Sequence, residues 1–162
     1  MPVSTKLPYN TRPAGAEDAG LIHRIYQENP GYFRLIGAEV PSEADTKSEL
    51  LAALKDKNRR VEIIYLAGEA VGLLDYKLHH PEKDAATLSL VLISERYRGL
   101  GLGKLAVLGL EEALAREFAT LYAAVYGENP KAEKFFTSLG YRFERSGGPA
   151  VKWFSKPLRG GP

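Results

Sequence analysis

Tyr97-Arg98-Gly99-Leu100-Gly101-Leu102-Gly103-Lys104 stands directly after an apolar, β-rich run, Thr87 to Ile93, and directly before a Leu- and Ala-rich run, Leu102 to Phe118. Glycines let a backbone turn tightly and approach a ligand closely. The successive N–H groups of such a turn, together with the positive end of the following helix, converge on a phosphate or pyrophosphate. Arg98 and Lys104 add positive charge. Two common phosphate signatures do not fit. A P-loop needs Gly where Arg98 stands and Ser or Thr after Lys104, where Leu105 follows. A G-x-G-x-x-G fingerprint begun at Gly99 would place its third glycine at Lys104, and the domain does not begin with this unit.

Downstream, Leu121 to Tyr126 reads as a strand, and Pro130 to Leu139 as a helix with the stripe Ala132, Phe135, Phe136, Leu139 and a stop at Gly140. Tyr141 to Glu144 and Val151 to Ser155 read as closing strands. Upstream, Val61 to Leu66 and Ala70 to Leu78 form an expected antiparallel hairpin around Gly68 and Glu69. Ser42 to Lys55 is a predicted helix with acids early, Lys late and Leu50, Leu51 and Leu54 at helical spacing. A strand at Tyr9 to Arg12, a helix from about Ala16 carrying Leu21, Ile22 and Ile25, and a short aromatic helix at Tyr32 to Ile36 precede it. This order predicts a single mixed sheet with helices on both faces.

The 162 residues suit one domain over 1–162, with 1–8 and 159–162 expected as flexible ends. A net charge of +2 argues against a nucleic-acid coat or membrane adhesion. With no cysteine the chain has no disulfide, no thiolate nucleophile and no cysteine-ligated metal. Met1 to Pro8 lacks a signal-like apolar stretch, and no run approaches the ~20 apolar residues of a membrane helix, so the expected location is cytoplasmic.

Arg98-x-x-Gly101-x-Gly103 resembles the R/Q-x-x-G-x-G/A pyrophosphate motif of the N-acetyltransferases of the GNAT superfamily. The resemblance extends upstream through Leu88-x-x-Val91-x-Ile93. Downstream, Asn129-x-x-Ala132-x-x-Phe135-Phe136-x-x-x-Gly140-Tyr141 is similar to that superfamily's second motif. The order of elements is similar from Thr11-Arg12-Pro13-Ala14 to Lys156-Pro157-Leu158, with little signal between Tyr32 and Lys57.

The resemblance implies the acyl-CoA N-acyltransferase fold, an α/β arrangement with a central, mostly antiparallel sheet. It implies an enzyme that takes acetyl-CoA as co-substrate, needs no metal, and acetylates a primary amine of a small molecule or peptide by direct attack in a ternary complex. A homodimer is compatible with it. Pantetheine would lie along Val91, Leu92 and Ile93, where backbone N–H groups near Leu92 or Ile93 would face the acetyl oxygen. The pyrophosphate would lie over Arg98, Gly99, Leu100, Gly101, Leu102, Gly103 and Lys104. Asn129 would hydrogen-bond the pantetheine arm, although Asn before Pro130 is equally an ordinary helix start.

Two departures bear on catalysis. Phe136 stands where a tyrosine often protonates the leaving thiolate, so Tyr126 is the candidate acid, with packing as its other reading. Thr87 stands where many relatives carry a glutamate, which leaves Asp75 as the candidate carboxylate base if it faces the acceptor cleft rather than solvent. Phe136 would contact the coenzyme without donating a proton. Tyr32 and Arg34 are candidates for the acceptor pocket, Arg34 through an anionic group on the acceptor, with core packing as the alternative for the aromatics. His79 and His80 would point to opposite faces of a strand, a poor metal pair, and His23 stands alone. The departures also motivate an alternative function, a non-catalytic acyl-CoA-binding sensor.

Overall fold

The computed structural model describes residues 9–148 and 150–158; the ends expected to be flexible, 1–8 and 159–162, lie outside the described residues. The chain runs β1 (Tyr9–Pro13), α1 (Ala19–Gln27), α2 (Pro30–Leu35), α3 (Glu43–Lys55), β2 (Arg59–Leu66), β3 (Glu69–Leu78), β4 (Ala85–Ile93), α4 (Leu102–Leu114), β5 (Thr120–Tyr126), α5 (Pro130–Ser138), β6 (Arg142–Ser146) and β7 (Val151–Pro157). Local chemistry sets many of these boundaries. Ser42 caps α3 by accepting the Asp45 N–H at 3.0 Å, with Glu43 and Asp45 in the first turn and Lys55 in the last. The β2–β3 turn places Ala67 at φ 50 and Gly68 at φ 83, the two positive values of a tight hairpin turn.

Among the described residues the sheet has seven strands in the order β1-β2-β3-β4-β5-β7-β6. Every neighbouring pair is antiparallel except β4–β5, which needs a crossover, supplied by α4. Successive side chains of a strand point to opposite faces, so Ile63 and Leu73 pack against α1 and α3, while Ile64 and Leu74 pack on the α4 side. The larger core joins Leu102, Val107, Leu110 and Phe118 to Leu121, Ala123, Val125, Phe136 and Phe154. Helices thus cover both faces, as expected.

Some boundaries differ. The predicted helix to Phe118 ends at Leu114; the N–H groups of Glu117 and Phe118 both bond to the Leu114 carbonyl, and this turn drops Phe118 into the core. A short 3-10 turn, Ala16 to Asp18, precedes α1, and the closing strands are shifted or extended to Ser146 and Pro157. Asp18 receives two hydrogen bonds from the Arg12 guanidinium, at 2.9 and 3.0 Å, and one from the Gly15 N–H at 2.7 Å. The Arg12 bonds, partly opposed by burial, hold its carboxyl below the usual carboxylate range. A depressed folded-state pKa contributes stability above the unfolded value of ~3.9 that is lost as pH falls through the folded value. Asp18→Asn is therefore expected to flatten the fall in urea midpoint below about pH 4; an unchanged acid limb would contradict this.

Candidate active site

β4 and β5 pair only from Ala85↔Thr120 to Leu88↔Ala123. Beyond that level they part, and a cleft enclosing about 690 Å³ opens between Ser89–Ile93 and Ala124–Tyr126. A bulge in β4 sits at the fork: Tyr76 pairs with Leu88 and Asp75 with Leu90, so Ser89 is the extra residue. Above the bulge, Val91 and Ile93 line the α4 side, while Leu90 and Leu92 pack toward α1 and α3. The Ser94 N–H donates to the Val71 carbonyl at 2.8 Å. Strand alternation then turns the Leu92 N–H toward β3 and those of Val91 and Ile93 toward the open cleft. Of the two backbone donors expected for the acetyl oxygen, Ile93 faces the cleft and Leu92 does not.

The glycine turn closes the mouth of this cleft. Gly99 and Gly101 have φ values of 83 and 78, and a Cβ on either would meet nothing within 4 Å, so both glycines border open space. Gly101 is the N-cap of α4, which leaves the first N–H groups of the helix without intrahelical partners. Gly99, Gly101, Leu102, Gly103 and Lys104 line the cleft; Leu100 does not, and its side chain is exposed. Apolar walls from Val91, Ile93, Val125 and Phe135 continue inward. An open anion cradle leading into an apolar slot fits a coenzyme that carries a diphosphate at one end of a flexible, mostly neutral arm.

Arg98 is held in place rather than free. Its Nη2 donates to Asn29 Oδ1 at 2.8 Å and its Nε lies 3.4 Å from the Ile93 carbonyl oxygen. Asn29 is fully buried and donates in turn to the Ile25 carbonyl, while the buried Ser94 hydroxyl donates to Glu28 at 2.8 Å. The α1–α2 junction is thereby tied to the glycine turn. In sequence Asn29-Pro30-Gly31 reads only as a helix break, and nothing local marks Asn29 as a partner 69 residues away from Arg98.

Tyr32 and Tyr126 both line the cleft, from α2 and from the end of β5. Burial, with Tyr126 nearby, pushes the Tyr32 phenol up to about 12, so it stays protonated. Arg34 is exposed and is not among the residues that line the cleft, although Gly31, Tyr32 and Leu35 of the same helix are. Asn129 lines the cleft and also caps α5, its Oδ1 accepting the Ala132 N–H at 3.1 Å, so its amide Nδ2 is left to point elsewhere. Asn129→Ala is expected to cost about 1 kcal/mol in chemical denaturation; a neutral result would show that the cap is dispensable. Phe136 is buried against Phe135 and Tyr141 with one edge on the cleft.

Asp75, open in sequence between cleft and solvent, faces neither. Asp75 shares the α1/α3 face with Leu73 and receives Arg59 Nε at 3.1 Å and Nη2 at 2.7 Å, beside Tyr26 and Leu50. The β2–β3 register pairs Asp75 with Val61 and sets Arg59, two residues along the same face, diagonally beside it. His79 and His80 do turn to opposite sides: His79 packs on Phe118 at 5.0 Å and His80 stacks on Trp153 at 5.9 Å. Among the described residues no cluster of three or more His, Asp or Glu could hold a metal ion, and no helix is long and apolar enough to cross a membrane.

Comparison with solved structures gives high similarity to an acetyltransferase from Thermus thermophilus, with a TM-score of 0.90 and 42% identity over 93% of this chain and 97% of that one. An acetyltransferase from Salmonella typhimurium that modifies the N-terminal serine of ribosomal protein L7/L12 shares the fold at 16% identity, TM-score 0.78, covering 96% and 97%. So does the spermidine/spermine N-acetyltransferase SpeG from Vibrio cholerae, at 16% identity and TM-score 0.72, covering 93% and 94%. No curated protein sequence gave a match. The Acetyltransferase (GNAT) family model matches residues 22–141, a span that takes in the parted strands, the glycine turn and the α5 motif, and the chain belongs to that family.

Proposed function

We propose that this chain transfers the acetyl group of acetyl-CoA to a primary amine by direct attack within a ternary complex. The observation that carries the reading is the fork between β4 and β5 with the open cradle of Gly99 to Lys104 at its mouth. The first N–H groups of α4 would hold the diphosphate, with Lys104 at the edge of the cradle and Arg98 bracing the turn. Asn129 Nδ2 would donate to the pantetheine arm. The acetyl thioester supplies an electrophilic carbon beside the Ile93 and Val91 N–H groups, which would stabilise negative charge developing on its oxygen. Holding amine and thioester together provides much of the rate enhancement without a covalent enzyme intermediate. Tyr126, at the rim and partly exposed, would protonate the departing sulfur.

Acceptors in this fold include a polyamine and a protein N-terminus, both amines, as two of the similar structures are named. The test is calorimetric titration with acetyl-CoA, followed by a panel of primary amines read by thiol release and by a mass increase of one acetyl group. At ~100-fold excess over Kd, acetyl-CoA is expected to stabilise the fold by about 2.7 kcal/mol. Binding without transfer to any amine would leave the sensor reading in its place. Absence of binding would end both.

A further inference from the structure

Direct attack requires a neutral amine, and with Asp75 committed to Arg59 the proton acceptor must be sought elsewhere. Thr87 pairs with Tyr122 one level below Leu88↔Ala123, the last pair before the strands part. Leu88 and Ala123 point into the core under α4, so Thr87 and Tyr122 face the other side of the sheet. Ala124 and Tyr126, which follow Tyr122 along β5, line the cleft. Trp153 is the β7 partner of Ala124, and its ring meets Tyr122 edge-on at 6.0 Å and stacks on His80 at an interplanar angle of 30°. Tyr122 and Trp153 thus form an aromatic shelf between Ala124, at the fork, and the His80 ring; the step along β5 from Ala124 to the buried Tyr122 is about 7 Å.

Hydrogen bonding fixes the imidazole on this shelf. Thr87 is buried, and its single hydroxyl proton goes to the His80 carbonyl at 2.8 Å. Towards His80 Nδ1, 3.0 Å away, the same oxygen can only accept. Nδ1 therefore carries the ring proton and Nε2 carries the lone pair; among the described residues Nε2 has no hydrogen-bond partner. We propose that His80 is the general base of the acetyl transfer, its Nε2 taking the proton of an acceptor ammonium group that reaches the fork across Trp153 and Tyr122. This rests on the function proposed above.

The acceptor's N–H bond breaks and Nε2–H forms, giving an imidazolium and freeing the nitrogen lone pair to attack the thioester carbon. The C–S bond then breaks with its electron pair on sulfur. Tyr126 gives its proton to that sulfur, forming the free thiol, and takes up the second amine proton in its place, while the imidazolium returns its proton to water. Burial, with Lys77 nearby, holds the imidazole below its ordinary value, so it is neutral at pH 7. The other charged or titratable groups around the shelf are Glu82 on the Tyr122 hydroxyl, Arg145 over Trp153, and Glu144 on Ser155.

The test compares kcat/KM against pH for the wild type, His80→Gln, Thr87→Val and Thr87→Ser, with acetyl-CoA affinity measured in parallel. His80→Gln is expected to lower kcat/KM by about 10²-fold or more, to abolish the limb that titrates below pH 7, and to leave acetyl-CoA affinity unchanged. Thr87→Val should lower the rate less and displace that limb, and Thr87→Ser should restore both. Added imidazole should partly rescue His80→Gly. A His80→Gln enzyme that keeps the rate and the limb, or one that loses acetyl-CoA binding, overturns the assignment while the proposed function stands. A wild type that binds no acetyl-CoA or acetylates no amine overturns the proposed function itself, and the assignment with it.

Discussion

Gly101→Glu is expected to abolish acetyl-CoA binding while the protein stays folded. Gly101 has φ 78, where an L side chain costs ~1–2 kcal/mol, a fraction of the ~5–15 kcal/mol by which a typical domain is stable. Its missing Cβ borders open space, so the new side chain has room but enters the volume assigned to the diphosphate. A carboxylate there would be welcome at the positive end of α4 and would take the donors meant for the ligand. Like charge would repel what remains. Calorimetry should show at least a ~100-fold rise in Kd, about 2.7 kcal/mol, with the circular-dichroism spectrum preserved. Gly101→Ala, which adds strain without charge, should fall between the two. Unchanged affinity in the glutamate variant would remove the cradle from the site.

Phe118→Ala should do the converse. Phe118 is 1% exposed and packs in the core shared by α4 and the sheet, with the His79 ring 5.0 Å away. Losing the ring leaves a cavity that costs ~3–5 kcal/mol. For a chain of this size that is roughly 10 °C of Tm. Phe118 follows the far end of α4, which at 1.5 Å per residue is about 20 Å from Gly101. At temperatures where the variant is folded, acetyl-CoA affinity should match the wild type. A large loss of affinity in folded protein would mean that the cradle depends on the whole of α4, and not on its first turn.

The features legible in the sequence are those written in residue type over short spacings. The glycines between an apolar strand and an apolar helix, and Asn129-Pro130 opening a second helix, announce turn, cap and anion site locally. They also carry the family, because a backbone cradle needs glycine whatever surrounds it. What long-range register decides was not legible. Asp75 in isolation reads as an acid in a strand near a cleft; only the pairing of β2 with β3 assigns it to Arg59. The bulge at Ser89 inverts the alternation of β4, so which N–H groups of Val91 to Ile93 face the cleft could not be read from parity along the chain. Asn29 and His80 carry no local signal for the same reason: their contacts are with Arg98, Thr87 and Trp153, which the fold brings to them. A buried polar residue beside a helix break is a weak signal, and two adjacent histidines before a proline read as surface.

A crystal structure of this protein grown with acetyl-CoA tests the account most directly. It should show the diphosphate oxygens within ~3 Å of the backbone N–H groups at the start of α4, with the pantetheine arm running into the fork between Val91–Ile93 and Ala124–Tyr126. Coenzyme bound elsewhere on the sheet, or β4 and β5 zipped together over a turn that no ligand touches, would contradict it.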